Sequence, residues 1–183
     1  MPPTKVFLVR HAESEQNIAT ERLSMWDIRS LITVLKIGLD SNLSEHGKVQ
    51  LSELQSRLKS DNFVQNKNIE LVAYSHYKRA RETAEALFKG NVEMTELSFL
   101  YERTPYEYIT DNSVYARRKK LREWLSTRNE KNIVLVGHGQ VWQQALEREE
   151  HQDNLSIIEC DFDPNSIIVS GLVFKNELYV GMK

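Results

Sequence analysis

The chain has 183 residues, enough for one α/β domain with its own hydrophobic core. Its 24 basic and 26 acidic side chains give a formal net charge of −2, which supplies no general attraction to nucleic acid or anionic membranes. No run of about 18 apolar residues is present to span a membrane. The lone Cys160 excludes an internal disulfide or a cysteine-based zinc site and points to the cytoplasm.

Met1-Pro-Pro-Thr-Lys leads into Val6–Val9, a run too short for a signal-peptide core and read as a first strand. Ile28, Leu31, Ile32 and Leu35 recur at helical spacing, which predicts a helix that Asp27 can cap. Ser44 precedes Leu51, Leu54 and Leu58, predicting an N-capped helix to about Lys59. Leu71–Tyr74 is a second strand. Arg79–Phe88 is a helix with Ala80, Thr83, Ala84 and Leu87 on one stripe, and a further strand lies near Val92–Leu97. Ser113–Thr127 turns Val114, Leu121, Trp124 and Leu125 inward. Ile133–Val136 is a strand, and Gln140–Glu150 a helix with Val141, Ala145 and Leu146 inward. Ile167–Phe174 reads as the last long strand, with a terminal hairpin over Phe174–Leu178 turning at Asn176. Short apolar runs alternating with helical patterns predict a single α/β domain over residues 1–183. The expected form is a three-layer sandwich, with a mostly parallel central sheet and helices on both faces.

In such sheets ligands bind beyond the carboxyl ends of the strands. After the first strand come Arg10, His11, Ala12, Glu13, Ser14 and Asn17; after the second, Ser75, His76 and Arg79; after Ile133–Val136, Gly137, His138 and Gly139. Parallel strands would bring these ends to one edge. Arginine grips a phosphate with two parallel charge-assisted hydrogen bonds, and neutral histidine can attack phosphorus. Gly137 and Gly139 permit close packing around His138, and the next helix would add its positive end. The set suits a tetrahedral dianion.

These residues also carry a resemblance. Arg10-His11-Ala12-Glu13-Ser14-Glu15-Gln16-Asn17 resembles the Arg-His-Gly signature of the histidine phosphatase superfamily, the phosphoglycerate-mutase-like proteins. Asp40 with Leu43–Gln50, Ser75–Ala84, Val136-Gly137-His138-Gly139 and Asn165-Ser166-Ile167 are similar to its later segments, in the same order. The resemblance implies His11 as the nucleophile that becomes phosphohistidine, and Arg10, Arg79 and His138 as the rest of the phosphate pocket. It implies Asn17, with Ser14 beside it, as further phosphate contacts, and Glu102 as proton donor to the leaving group. Ala12 replaces the usual glycine, His76-Tyr77 replace a common Pro-Leu, and no glycine follows Glu102.

The expected activity is metal-independent hydrolysis of a phosphomonoester, with no cofactor and no metal site. The substrate is a small phosphorylated compound or a phosphoprotein. A phosphoglycerate mutase and a non-catalytic phospho-ligand binding module are the alternatives. Ser14 and Asn17 equally suit a helix cap, and Glu93, Glu96 and Glu107 compete with Glu102. His46, His76 and His151 read as surface or structural histidines, although His76 can line the mouth of the site. The run Arg117–Lys120 with Arg122 reads as a solvated helix face.

Overall fold

The computed structural model describes residues 2–24, 40–102, 112–150 and 152–181. Its elements in chain order are β1 (Lys5–Arg10), α1 (Glu15–Ser24), α2 (Glu45–Ser60), α3 (Phe63–Asn66), β2 (Leu71–Ser75), α4 (Lys78–Phe88), β3 (Glu93–Leu97), α5 (Asn112–Ser126), β4 (Asn132–Gly137), α6 (Gly139–Leu146), β5 (Ile157–Phe162) and β6 (Leu172–Tyr179). The strands form one six-stranded sheet in the order β3-β2-β4-β1-β5-β6. The first four positions are parallel; β5 runs antiparallel to β1, and β6 to β5.

Alternation along β1 divides the core. Phe7 and Val9 join Leu51, Leu54 and Leu58 of α2 and Ala84, Leu87 and Phe88 of α4 in one cluster. Val6 and Leu8 join Leu121 and Leu125 of α5 and Trp142 and Ala145 of α6 in another. Each fully buried Val, Leu or Phe among them contributes on the order of 1.5–3 kcal/mol. The result is an α/β fold whose mostly parallel sheet is flanked by helices.

The helix starts follow their expected chemistry. Ser44 caps α2 by accepting the Gly47 N–H at 2.8 Å. The helix predicted to Glu150 instead stops at Leu146, because Glu147 turns left-handed at φ 52°. Its innermost side chain is Trp142, fully buried, while Val141 is only half-buried.

The carboxyl third departs from expectation. Ile167–Phe174 is not a continuous strand: residues 163–171 form turns, Ile167 is 99% exposed, and only Leu172 onward is extended. Gly171 holds φ 76°, and a Cβ there would meet the Phe162 ring at 2.7 Å, so the chain must reverse at a glycine. The hairpin is β5–β6, with Asn176 paired to Glu159 inside β6 rather than in a turn. The helix expected around Ile28–Leu35, with Asp27, lies outside the described residues, as do Glu107 and His151.

Candidate active site

The carboxyl ends of β1, β4 and β2 lie side by side, with Arg10 opposite Gly137 and Tyr74 opposite Val136. The ladder continues one step past β1, where the His11 N–H donates to the Gly137 carbonyl at 2.9 Å. This register sets the His11 and His138 rings 5.1 Å apart, both fully buried. Gly137 must lack a side chain, since a Cβ would sit 2.6 Å from the Trp142 ring. Trp142 in turn donates its indole N–H to the Val9 carbonyl at 3.0 Å, fixing α6 against β1.

The hydrogen bonds of His11 define its proton. Nδ1 faces the Ala12 carbonyl at 2.7 Å, and a carbonyl only accepts, so Nδ1 carries the hydrogen. Nε2 accepts from Arg79 Nε at 3.1 Å and therefore holds a lone pair toward the guanidinium. Burial, and then the charges of Arg79 and Arg10, hold the His11 pKa well below 6.5. The ring is neutral at neutral pH.

His138 bonds Ser75 Oγ through Nε2 at 2.9 Å. Its Nδ1 lies 3.7 Å from Glu102 Oε2 and has no hydrogen bond among the described residues. Burial lowers its pKa well below 6.5, reinforced by His11, Arg79, Arg10 and His76. Arg79, 2% exposed in the first turn of α4, stacks its guanidinium 5.1 Å from the Tyr77 ring centroid. Thr83 ties the same turn to the loop after β1: it donates to the Arg79 carbonyl at 2.7 Å and accepts the Ala12 N–H at 3.1 Å. Arg10 donates to the Gln152 carbonyl at 2.5 Å. Burial lowers the pKa of both arginines, and Glu102 opposes that shift in each.

Arg10, His11, Arg79, His138 and Glu102 are thus brought together. Ser14 and Asn17 are engaged with each other: the Ser14 N–H and hydroxyl both donate to Asn17 Oδ1, at 3.0 and 2.9 Å. Gly139 is the buried first residue of α6. Of the rival carboxylates, Glu96 pairs with Arg81 at 3.2 Å and Glu93 is exposed. The basic run is only partly a solvated face. Arg117 is buried and donates to the Tyr101 carbonyl at 2.6 Å, Arg118 pairs with Glu147, and Arg122 binds the Ser166 and Ile168 carbonyls.

Two supports went unread in the sequence. Gly47 brings α2 against the loop after β1 so closely that a Cβ would fall 2.1 Å from the Glu13 carbonyl oxygen. The segment 152–156 braces the end of β1: Asn154 donates to the His11 carbonyl at 2.8 Å, and Leu155, left-handed at φ 59°, donates its N–H to the Arg10 carbonyl at 3.1 Å. A non-glycine residue held at positive φ next to the strand end that carries Arg10 and His11 would be the signal, but φ is not legible in a sequence.

The expectation of no metal site meets a cluster with ligand-like spacing, since ring nitrogens of His11 and His138 and an oxygen of Glu102 lie within 4.8 Å of one another. Electrostatics oppose a dication there. Arg79 and Arg10 face the same space, and Arg79 Nε occupies the His11 lone pair that a metal would need.

No curated protein sequence matches the chain. Solved structures share its fold at low identity. The alpha-ribazole phosphatase from Shigella flexneri superposes with a TM-score of 0.60 at 14% identity, covering 98% of this chain and 99% of that one. Phosphoserine phosphatase from Entamoeba histolytica, solved with 3-phosphoglyceric acid, gives 0.60 at 18% identity over 95% and 96%. The mycobacterial glucosyl-3-phosphoglycerate phosphatase gives 0.59 at 14% over 98% and 100%. A family model matches residues 6–110, the span that holds Arg10, His11, Arg79 and Glu102. The chain belongs to the histidine phosphatase superfamily, branch 1.

Proposed function

We propose that the protein is a metal-independent phosphatase that hydrolyses a phosphomonoester through a phosphohistidine at His11. A single three-layer domain over residues 1–183 would carry the whole site, a reading supported by the core clusters on either side of β1. The observation that carries the chemistry is the tautomer of His11: Nδ1–H is held on the Ala12 carbonyl, so the Nε2 lone pair faces Arg79. An incoming dianion replaces that lone-pair contact, taking the Arg79 and Arg10 donors onto its own oxygens. Nε2 attacks phosphorus as the ester P–O bond breaks, and His138 Nδ1 and the arginines stabilise the equatorial oxygens. Glu102, carrying a proton in the substrate complex, supplies it to the leaving oxygen. It then takes one from the water that hydrolyses the phosphohistidine, which restores both residues. The first turns of α1 and α6 add donors: with its oxygen engaged by Ser14, Asn17 offers its amide nitrogen, and Gly139 its N–H.

Hydrolysis is favoured over mutase chemistry by the use of Arg117 and Arg118. A sugar-acid carboxylate would need free cations, and these two are bound to Tyr101 and Glu147. The substrate class is a small phosphorylated compound or a phosphoprotein segment. Mass spectrometry of protein quenched during turnover should find acid-labile phosphate on His11, and none in His11→Ala. Phosphate on another residue, or full activity in His11→Ala, removes the nucleophile from this position. Phosphate release should persist in excess EDTA, and metal-dependent recovery after chelation would overturn the metal-independent mechanism.

A further inference from the structure

Ring contacts continue outward from the nucleophile. The Tyr77 ring lies 5.4 Å from the His138 ring at 72°, and the His76 ring 4.7 Å from Tyr77 at 71°. Tyr101 closes the group at 6.2 Å from His76 and 6.5 Å from Tyr77. Two cations hold the tyrosines in place: Arg79 over Tyr77, and buried Arg117 with its guanidinium 4.4 Å from the Tyr101 ring centroid. Tyr77 is nearly covered, while His76 and Tyr101 keep part of their surface open.

In the proposed reaction this wall of rings would stand beside the leaving group. Phosphorus must lie within reach of His11 Nε2, and the ester oxygen within reach of Glu102. Glu102 directly follows Tyr101 and contacts the same His138 ring that Tyr77 packs against. His76 is also poorly explained as a structural residue. Its Nδ1 is covered and has no hydrogen bond among the described residues, a burial that disfavours the fold and that a phenyl ring would avoid.

We infer that His76, backed by Tyr77 and Tyr101, forms a leaving-group subsite that selects phosphate esters carrying a planar aromatic group. The inference rests on the hydrolase reading of His11, and its chemistry adds no step to that reaction. Edge-to-face and stacked contacts with the wall favour a flat π-system over a saturated ring of equal size.

The test compares 2-phenylethyl phosphate with 2-cyclohexylethyl phosphate, whose leaving alkoxides are chemically alike. The unmodified protein should prefer the phenyl ester by roughly three- to tenfold in kcat/KM, mostly through KM, the size expected of an aromatic pair. His76→Ala and His76→Leu should bring the ratio to about one, whereas His76→Phe should keep the preference and melt no lower than the unmodified protein. Calorimetry with the matching non-hydrolysable phosphonates should give the same order of affinity. Turnover without a preference, or a preference that survives both His76→Ala and His76→Leu, overturns the subsite and leaves the hydrolase intact. A phenyl preference among the phosphonates with no turnover of either ester upholds the subsite and removes the hydrolase. Equal phosphonate affinities with no turnover overturn both.

Discussion

Two fully buried neutral histidines make the protein's stability depend on pH in a calculable way. In the unfolded chain His11 and His138 titrate near the ordinary value of 6.5, whereas in the folded protein burial and the neighbouring arginines hold both pKa values well below it. A depressed histidine pKa means the unfolded state binds more protons, so stability is complete above pH 6.5 and falls as the pH drops toward the folded values. One unit below 6.5 the loss is on the order of 1 kcal/mol per histidine, and about twice that for the pair. Against a typical total of about 5–15 kcal/mol, that is a large fraction. Urea unfolding followed between pH 7.5 and 5.5 should show this decline, with about two protons taken up on unfolding near the acid end. His11→Asn should remove about half of the slope. Saturating vanadate, by giving His138 an anionic partner, should reduce it further. A free energy flat across this window, or an unchanged slope in His11→Asn, would refute the buried neutral pair.

Three further perturbations probe separate parts of the site. Glu102→Gln should slow alkyl phosphates by about 10²–10⁴-fold and aryl phosphates much less, because only the poor leaving group needs a proton; equal losses in steady-state assays would assign Glu102 to binding or support. Gly47→Ala places a methyl group 2.1 Å from the Glu13 carbonyl oxygen, so both melting temperature and kcat should fall; an unchanged protein would mean that α2 does not brace the loop after β1. Trp142→Phe keeps a ring in the core but removes the indole N–H bond to the Val9 carbonyl, costing about 0.5–1.5 kcal/mol in denaturant unfolding; a loss below a few tenths would show that the indole N–H bond is dispensable.

Legibility followed the local pattern of burial. Of the parallel strands, β1, β2 and β4 are readable as short apolar runs bounded by polar or glycine-containing segments, and the residues after them need only the rule about strand ends. Arg79 is legible for the same reason, in the first turn of the helix that follows β2. β5 was obscured by its charges: Glu159 and Asp161 interrupt Ile157-Ile158 and Phe162. Glu159 is nonetheless 8% exposed, neutralised by Lys5 at 3.3 Å and Lys67 at 3.1 Å from distant parts of the chain. The converse error came at Ile167, where an apolar β-branched run is a solvent-exposed turn held by Arg122. Both failures arise where long-range ion pairs or side chain–backbone bonds override hydropathy. Asn154 and Leu155 belong to the same class, since their work is done by hydrogen bonds across some 143 positions of sequence.

The arrangement of charge explains why these supports are needed. Arg10 and Arg79 are close enough for Arg79 to depress the Arg10 pKa, and each has also lost water through burial. Glu102, with its side chain 23% exposed, offsets only part of that charge. Left to relax, two guanidiniums in such a space would separate or turn to solvent. Arg10 is prevented by the Gln152 carbonyl, and Arg79 by the Tyr77 ring and by its helix backbone, tied through Thr83 to the loop after β1. Each histidine likewise uses one nitrogen on a fixed partner, Ala12 or Ser75, and turns the other inward. The fold thus holds two buried guanidiniums beside a neutral lone pair. In the proposed reaction a phosphate dianion would bring opposite charge to both and present phosphorus to that lone pair, which would join binding to reaction in one arrangement.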